Sequence, residues 1–346
     1  MTQADVRAPQ TRVSHRLVHI ALTQPFVSGR GTTTHIQQTV LRLDWNHLSG
    51  YGAVLGASSA ELDACAALLT DAGPYNAREV LDRLRATGMR PAVAAAVDLA
   101  LHDLLGKAAG VPLQHVLGLA GQPVGPTGLS LSAGSAEELV AEARRLQDWP
   151  ILKLKLTPRD DGSRAGLLRS VYGGRVWVDG NGSWEPRRAL QVAYELAKHD
   201  VELFEQPVAP GDLDGLAYVH RLSPVRIVAD EDCALPSDVL RLREVVSAVN
   251  IKLNQCGGLQ AALEMITVAR HAGLAVMLGC KTESALGVTA MAQLAPLAKW
   301  LDLDGHLDLA DDPFCGLTIH QGQLSLPTAP GLGARPARAL ETLWGE

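Results

Sequence analysis

The sequence lacks the features that mark membrane, exported and nucleic-acid-binding proteins. It has no run of about 18 or more apolar residues, and no basic stretch followed by an apolar one stands at its start, so we expect neither a membrane span nor export. The net charge is −6 and no basic block occurs, which argues against nucleic acid as a partner. Five cysteines without CxxC spacing favour free thiols in a reducing cytoplasm.

The sequence does contain enough apolar material for a large folded core. It has 346 residues, of which 47% are hydrophobic, and its charges are spread along the chain. This composition is typical of a globular protein and leaves room for one large barrel plus a smaller domain.

Short apolar runs alternate with amphipathic helical patterns between about residues 127 and 303. The eight predicted strands are Thr127–Ser132, Ile151–Lys155, Arg175–Asp179, Val201–Glu205, Arg226–Asp230, Ala248–Lys252, Leu274–Gly279 and Lys299–Leu303. The clearest helical patterns between them are Ala136–Gln147, Pro186–Lys198, Leu259–His271 and Ala285–Leu297. Strands that alternate with helices predict a parallel sheet, and eight such units predict an α/β fold of the (β/α)8 barrel type.

The segments on either side of this alternation have a different pattern. Residues 1–122 combine two strand-like runs, His19–Leu22 and Gln37–Leu43, with three helical patterns, which predicts an α+β domain. A Gly- and Thr-rich stretch at residues 23–34 predicts a mobile loop. We assign residues 123–312 to the barrel and expect residues 313–346 to pack back against the α+β domain.

Five of the predicted strands end in an ionisable residue, in the order Lys155, Asp179, Glu205, Asp230 and Lys252. Active sites of (β/α)8 barrels lie at these carboxyl ends, and buried carboxylates there are costly unless they are paired or bind a metal. Three hard oxygen ligands suit Mg²⁺, and the two amines could flank whatever the metal holds. The alternatives are surface carboxylates at helix starts and lysines that extend to solvent.

The motifs around these residues resemble those of the muconate-lactonizing-enzyme subgroup of the enolase superfamily. They are Lys153-Leu154-Lys155, Asp179-Gly180-Asn181, Glu205-Gln206-Pro207, Ala229-Asp230-Glu231 and Asn250-Ile251-Lys252. The resemblance implies that residues 1–122 form a capping domain over a modified barrel, completed by residues 313–346, and that the loop at residues 23–34 covers the substrate. It also implies an essential Mg²⁺ and removal of a proton α to a carboxylate by a lysine or histidine base.

Within that subgroup, Asp302 and Asp304 resemble the Asp-x-Asp motif of the dipeptide epimerases. Two residues apart on one strand, they would both face the barrel interior, where the free ammonium group of a dipeptide is a natural counter-ion. A local Arg or Lys is the alternative partner. The stretch Gly279-Cys280-Lys281 is similar to a Gly-Cys-Met stretch of the same group, with Lys281 in place of Met.

Epimerisation requires two bases on opposite faces of one carbon, and Lys155 and Lys252 would lie across the barrel mouth from each other. A lysine acts as a base only if its pKa falls toward ~7–8. The nearby Lys153 either contacts the substrate or acts through its charge alone.

Three further residues complete the predicted site. Glu231 would support a lysine or the metal ligands, unless it is an exposed loop acid. Asn181 would either adjust the metal site or shape its turn. Ser130 would donate to the substrate carboxylate or peptide group, or else bond to the backbone as a core hydroxyl.

The sequence therefore predicts a Mg²⁺-dependent epimerase that inverts the C-terminal residue of a small dipeptide through an enediolate. The alternatives are an N-acylamino acid racemase or an o-succinylbenzoate synthase, whose substrates have no free amine, and a muconate cycloisomerase, whose dianionic substrate Asp302 and Asp304 would repel. A barrel that has lost catalysis and only binds ligands is disfavoured by the two intact lysines. Association into homo-oligomers stays open.

Side-chain specificity depends on fewer observations. Lys281 and Arg30 could each attract an acidic side chain, which favours a substrate of the L-Ala-L-Glu type from peptidoglycan. Arg30 could instead bind a loop carbonyl, and Lys281 could pair with Glu283. Thr33 stands where epimerases of acidic dipeptides carry a basic residue.

Overall fold

The N-terminal part of the protein is a three-stranded antiparallel sheet with helices packed on it. The computed structural model describes residues 11–28, 31–57, 59–132 and 134–344. The elements of the N-terminal part, in chain order, are β1 (Arg12–Ser28), β2 (Gly31–Trp45), β3 (Leu48–Leu55), α1 (Ser59–Ala66), α2 (Ala77–Ala86), α3 (Pro91–Ala109) and α4 (Leu113–Val116). The sequence predicted the first two strands as shorter runs and did not predict β3.

The stretch that was predicted as a loop, residues 23–34, is strand wherever it is described. Residues 23–28 belong to β1 and residues 31–34 to β2, and the two strands pair with a register shift between Ala21 and Phe26. Val27 and the threonines Thr32 and Thr33 are β-branched, and such residues favour extended backbone. The assignment of these residues to a loop was therefore wrong, and their mobility stays a prediction.

Helix α3 packs directly on β3 because two glycines remove the side chains that would separate them. A Cβ atom on Gly52 would overlap the carbonyl group of Ala96, and one on Gly50 would overlap that of Ala100. Pro91 begins α3, and Gly110 ends it with a φ of 70°, as is usual for helix termini. The capping domain therefore presents a fixed sheet to the rest of the molecule.

Eight parallel strands then form the barrel, with neighbours in chain order. They are β4 (Leu129–Leu131), β5 (Ile151–Lys155), β6 (Arg175–Asp179), β7 (Val201–Glu205), β8 (Arg226–Ala229), β9 (Ala248–Ile251), β10 (Ala275–Gly279) and β11 (Trp300–Asp302). Gly128 N donates to Leu301 O at 2.8 Å, and Thr127 pairs with Leu301, which brings the first strand beside the last. The predicted (β/α)8 barrel is confirmed; its first strand and its last four are shorter than predicted.

The barrel helices follow the predicted alternation. They are α5 (Ala136–Arg145), α6 (Arg164–Arg169), α7 (Pro186–Ala197), α8 (Leu213–Leu222), α9 (Pro236–Arg241), α10 (Leu253–Cys256), α11 (Leu259–His271) and α12 (Ala285–Ala292). The predicted helix Ala285–Leu297 ends early, and a separate 3-10 turn covers Ala295–Leu297. Pro296 lacks the N–H group that a continued helix would need.

Apolar side chains fill the amino-terminal end of the barrel. This layer consists of Ile151, Trp177, Leu203, Val228, Ala248, Met277 and Trp300, all at most 2% exposed. Glu202 accepts hydrogen bonds of 2.9 Å from the indole N–H groups of Trp177 and Trp300. With this end sealed, the cavity of the barrel opens at the carboxyl ends of the strands.

The C-terminal segment contains β12 (Phe314–Cys315), β13 (Thr318–His320), β14 (Gln323–Ser325), β15 (Arg335–Pro336) and α13 (Arg338–Trp344). It contacts the capping domain at α3, where Leu332 N donates to Asp103 Oδ1 at 2.9 Å. The rings of Trp344 lie under the guanidinium groups of Arg16 and Arg42. Among the described residues, no helix combines the length and apolarity needed to cross a membrane.

Candidate active site

Three carboxylates lie side by side at the carboxyl ends of neighbouring strands. Asp179 ends β6, Glu205 ends β7, and the two residues pair in register; Asp230 directly follows β8. Each is at most 1% exposed. The alternation of strand and helix therefore brings together three acids that are about 25 positions apart in the sequence, as the carboxyl-end rule predicts.

Each of these carboxylates has a lysine ammonium group beside it. Lys155 Nζ lies 2.6 Å from Asp179 Oδ2, and Lys252 Nζ lies 2.6 Å from Asp230 Oδ2. Lys153, which is fully buried, places its Nζ 2.7 Å from Glu205 Oε2. These contacts offset the large cost of burying charge at the barrel mouth.

Burial and ion pairing act in opposite directions on the pKa values of the site. Burial favours the neutral acid, but Lys155 and Lys153 hold the pKa of Asp179 well below its ordinary value, and Lys252 lowers that of Asp230 to about 2. At Glu205 burial dominates, and the pKa is raised despite Lys153. Burial lowers the pKa of Lys252, but Asp230 and Glu205 raise it above the usual lysine value.

Lys155 and Lys252 are placed on opposite sides of the barrel mouth. Lys155 ends β5 and Lys252 directly follows β9, four strands further along the eight-stranded order. Both line one cavity of about 200 Å³, which also receives Phe26 and Thr33 from the capping hairpin. A small molecule held in this cavity would have an amine on each side.

Asp302 and Asp304 also line this cavity, but their surroundings differ. Asp302 Oδ2 lies 2.6 Å from Lys153 Nζ, so Asp302 already has a lysine of the protein as its counter-ion. Asp304 Oδ2 accepts a 2.6 Å hydrogen bond from Ser130 N, and no salt bridge from a described residue reaches it. Burial, and then the charge of Asp302, raise the pKa of Asp304 to about 6. Asp304 is thus the acid of this pair that still needs a cation.

The predicted supporting residues form one chain of contacts. Asn181 N donates to Asp179 Oδ1 at 2.9 Å, and Asn181 Nδ2 lies 3.3 Å from Asp179 Oδ2 and 3.4 Å from Glu231 Oε1. Asn181 adopts a left-handed backbone with a φ of 45°, so it both shapes the turn and orients the carboxylate. Glu231 reaches the site through Asn181.

The residues predicted to set side-chain specificity are only partly placed. Arg30 lies outside the described residues. Lys281 lines the cavity, and its backbone N donates to Glu283 Oε1 at 3.1 Å, while Asn254 Nδ2 donates to Glu283 Oε2 at 2.8 Å. Burial raises the pKa of Glu283 to about 7.

Two residues that contact the strand-end acids were not among the predicted ones. Asn250 Nδ2 donates to Glu205 Oε1 at 3.0 Å, and Gln206 Oε1 accepts from Asp230 N at 3.0 Å. The signal for Asn250 was its position two residues before Lys252 on one strand, which puts both side chains on the same face. Beside them, Gly279 leaves no room for a Cβ atom, which would lie 2.9 Å from Lys252 Cε.

The oxygens of Asp179, Glu205 and Asp230 are the kind of donor that a hard divalent cation prefers. In this structure the same carboxylates are paired with lysines. Asp230 Oδ1 is buried without a hydrogen-bond partner, which is costly for a carboxylate oxygen. Within the described ranges, no group of three or more His, Cys, Asp or Glu side chains is arranged to hold a metal directly. Binding of Mg²⁺ by Asp179, Glu205 and Asp230 would therefore require Lys155 and Lys252 to move off these oxygens.

Comparison with known proteins places this geometry in a family. The family model described as enolase C-terminal domain-like matches residues 135–340, and that of the mandelate racemase/muconate lactonizing enzyme N-terminal domain matches residues 8–118. The L-Ala-D/L-Glu epimerase of Bacteroides thetaiotaomicron is 32% identical over 75% of this chain and 69% of that protein. The hydrophobic dipeptide epimerase of Roseobacter litoralis is 32% identical over 93% of this chain and 98% of that protein.

A solved structure has the same fold over nearly the whole chain. The dipeptide epimerase from Methylococcus capsulatus, complexed with Mg and the dipeptide L-Arg-D-Lys, superposes with a TM-score of 0.85 at 29% identity. The match covers 94% of this chain and 99% of that one.

Proposed function

Because the chain belongs to the mandelate racemase/muconate lactonizing enzyme family of the enolase superfamily, we propose that it is a Mg²⁺-dependent dipeptide epimerase. The observation that carries this proposal is the position of Lys155 and Lys252 on opposite sides of one small cavity. Dipeptide epimerases among its relatives, one of them complexed with Mg, support the same reaction.

The three strand-end acids are proposed as the metal ligands. Asp179, Glu205 and Asp230 offer the hard oxygen donors that Mg²⁺ prefers. When bound, Mg²⁺ would act as a Lewis acid toward the negative charge that develops on the substrate carboxylate. Asn250 and Asn181 hold Glu205 and Asp179 by hydrogen bonds, and such outer contacts orient metal ligands.

The two lysines are proposed as the bases. One amine takes the α-proton of the C-terminal residue on one face, and the opposite ammonium group returns a proton on the other face, so the carbon is inverted. Lys252 is held protonated by Asp230 and Glu205, so a cation that neutralises these carboxylates would also favour the free amine. Lys153 stays among the acids of the site and contributes positive charge.

The free amino group of the dipeptide is assigned to Asp304. Its carboxylate is fixed by Ser130 N and has no salt bridge from a described residue, so an ammonium group would supply the missing charge. Asp302 is neutralised by Lys153, which leaves a single acid to distinguish free from blocked amines. Because only Asp304 would distinguish a free amine from a blocked one, N-acylamino acid racemisation is the second candidate function.

The side chain of the inverted residue is proposed to face Lys281. Apart from the two proposed bases, Lys281 is the one cationic side chain among the described residues that line the cavity, which favours an acidic inverted residue, as in a substrate of the L-Ala-L-Glu type. The relatives act on or bind dipeptides with acidic, apolar and cationic side chains, so likeness alone does not select among them.

The proposal is tested with a dipeptide library in deuterated water. We expect deuterium at the α-carbon of the second residue of unblocked L,L-dipeptides, loss of this exchange after exhaustive chelation with EDTA, and recovery when Mg²⁺ is added. The N-acetylated forms of the best dipeptides serve as matched controls. Faster exchange of the N-acetylated forms would favour the racemase, and full activity after chelation would rule out the metal assignment.

A further inference from the structure

A second cavity adjoins the candidate active site and is three times larger. It encloses about 600 Å³ between the tip of β1, strand β4 and helix α5. Among the described residues, three line both cavities, namely Phe26, Ser130 and Asp308. Its volume lies within the usual range for small-molecule sites, and we refer to it as the side chamber.

The walls of the side chamber are held by contacts between the capping hairpin and the barrel. Val27 N donates to Ser132 Oγ at 2.9 Å, and Thr23 N donates to Asp308 O at 2.8 Å. Leu22 and Leu309 pair as an isolated bridge, and both are 8% exposed. The chamber therefore exists before any substrate enters, which limits the ordering cost of binding.

The charges that line the side chamber leave one carboxylate without compensation. Of the four charged residues that line it in the described part of the chain, Arg145 lies 2.5 Å from Glu142 as an ion pair, and Glu138 accepts a 2.6 Å hydrogen bond from Ser135 N in the cap of α5. The half-buried carboxylate of Asp308 forms no hydrogen bond or ion pair with another described residue. Burial, and then Glu142, raise its pKa, as expected for an acid without a counter-ion.

The position of the chamber relative to the proposed site indicates which part of a substrate it faces. Ser130, which lines the chamber, donates through its backbone N to Asp304, the proposed partner of the free amino group. Lys155 and Lys252, between which the inverted carbon must lie, line the other cavity and not this one. The chamber thus extends from the amino-terminal end of the substrate.

We propose that the side chamber accepts a cationic side chain of the first residue of the dipeptide, with Asp308 as its counter-ion. Apolar side chains of Phe26, Val27, Leu131 and Leu139 line the same space. A lysine or arginine side chain suits this combination, because its methylene stem packs on apolar surface while its charged end meets a carboxylate. This inference rests on the proposed function and specifies its substrate class.

The test compares two dipeptides that differ in charge and little in length, L-Lys-L-Ala and L-norleucyl-L-Ala. For the unaltered protein we expect kcat/KM to favour the lysine peptide by at least about tenfold, the ratio that corresponds to ~1.4 kcal/mol. In Asp308→Asn the ratio should fall toward one, and Asp308→Glu should restore most of it. Glu137→Gln, which changes an exposed acid of α5 that does not line the chamber, is the matched control and should keep the ratio.

The outcomes separate this inference from the proposed function. Equal turnover of the two peptides by the unaltered protein, or a lysine preference that survives in Asp308→Asn, would overturn the role of the side chamber while epimerisation of L-Ala-L-Ala still supports the function. Turnover of no unblocked dipeptide would overturn both. Circular dichroism of each variant checks that the fold is retained, and Asp308→Ser, which also removes the charge, replaces Asp308→Asn in the comparison if Asp308→Asn does not fold.

Discussion

Gly279→Ala places a methyl group against one of the two proposed bases and leaves the other untouched. Gly279 ends β10, beside Asn250 and Lys252. The added Cβ atom would lie 2.9 Å from Lys252 Cε and 2.5 Å from Asn250 Oδ1. Carbon atoms in ordinary contact are about 3.5–4.0 Å apart, so Lys252 must shift by roughly 0.6–1.1 Å.

A shift of this size is large for a proton transfer. A misplacement of about 1 Å in a catalytic group can lower the rate on the order of 100-fold, so we expect kcat for epimerisation to fall by about 10- to 100-fold. Lys155 belongs to β5, on the other side of the barrel. Exchange of the α-proton that Lys155 removes should therefore persist, and the loss should affect one epimer.

The assay measures epimerisation by polarimetry and α-proton exchange of each epimer by mass spectrometry in deuterated water. Gly173→Ala is the matched control, because a Cβ atom at Gly173 meets nothing within 4 Å. The assays use saturating Mg²⁺, because the methyl group also contacts Asn250, which holds Glu205. Under these conditions, normal epimerisation by Gly279→Ala, or an equal loss of exchange from both epimers, would refute the assignment of Lys252 to one face.

Three further predictions concern the surroundings of the bases. Burial raises the pKa of Glu283 from an ordinary 4.5 to about 7, so the native state binds this proton more tightly than the unfolded state does. The free energy of unfolding should therefore fall by up to about 3 kcal/mol as the pH rises from 4.5 to 7. Urea unfolding of Glu283→Gln should show no such fall. Asn250→Ala should raise the Mg²⁺ concentration for half-maximal activity by about 10- to 100-fold, and an unchanged metal titration would contradict its role on Glu205. Asp304→Asn should reduce the preference for unblocked over N-acetylated dipeptides in kcat/KM, whereas an undiminished preference would remove Asp304 from the amine site.

The barrel and its ring of ionisable residues could be predicted because both follow from regular patterns. Strand ends fall where apolar runs stop, and a parallel barrel gathers all such ends at one face. Lys155, Asp179 and Glu205 are the last residues of their strands, as predicted. The period of two along a strand would also have identified Asn250, two residues before Lys252.

The features that were missed depend on contacts between distant segments. Residues 23–34 were taken for a loop because Gly and Thr are common in turns, whereas the pairing of β1 with β2 continues through residues 26–28 and 31–33. The partner of Asp302 is Lys153, which lies 149 residues away, and no local pattern indicates that pair. The side chamber is equally invisible in the sequence, since its walls come from β1, β4 and α5.

The central claim, that Lys155 and Lys252 serve opposite faces of one carbon, is tested most directly by α-proton exchange with each variant and each epimer. The measurement is deuterium uptake from deuterated water by the separate L,L and L,D forms of one dipeptide, with Lys155→Ala and Lys252→Ala. We predict that neither variant epimerises and that each exchanges one form, with opposite forms for the two variants. Epimerisation by either variant at the normal rate, or exchange of the same form by both, would contradict the two-base account.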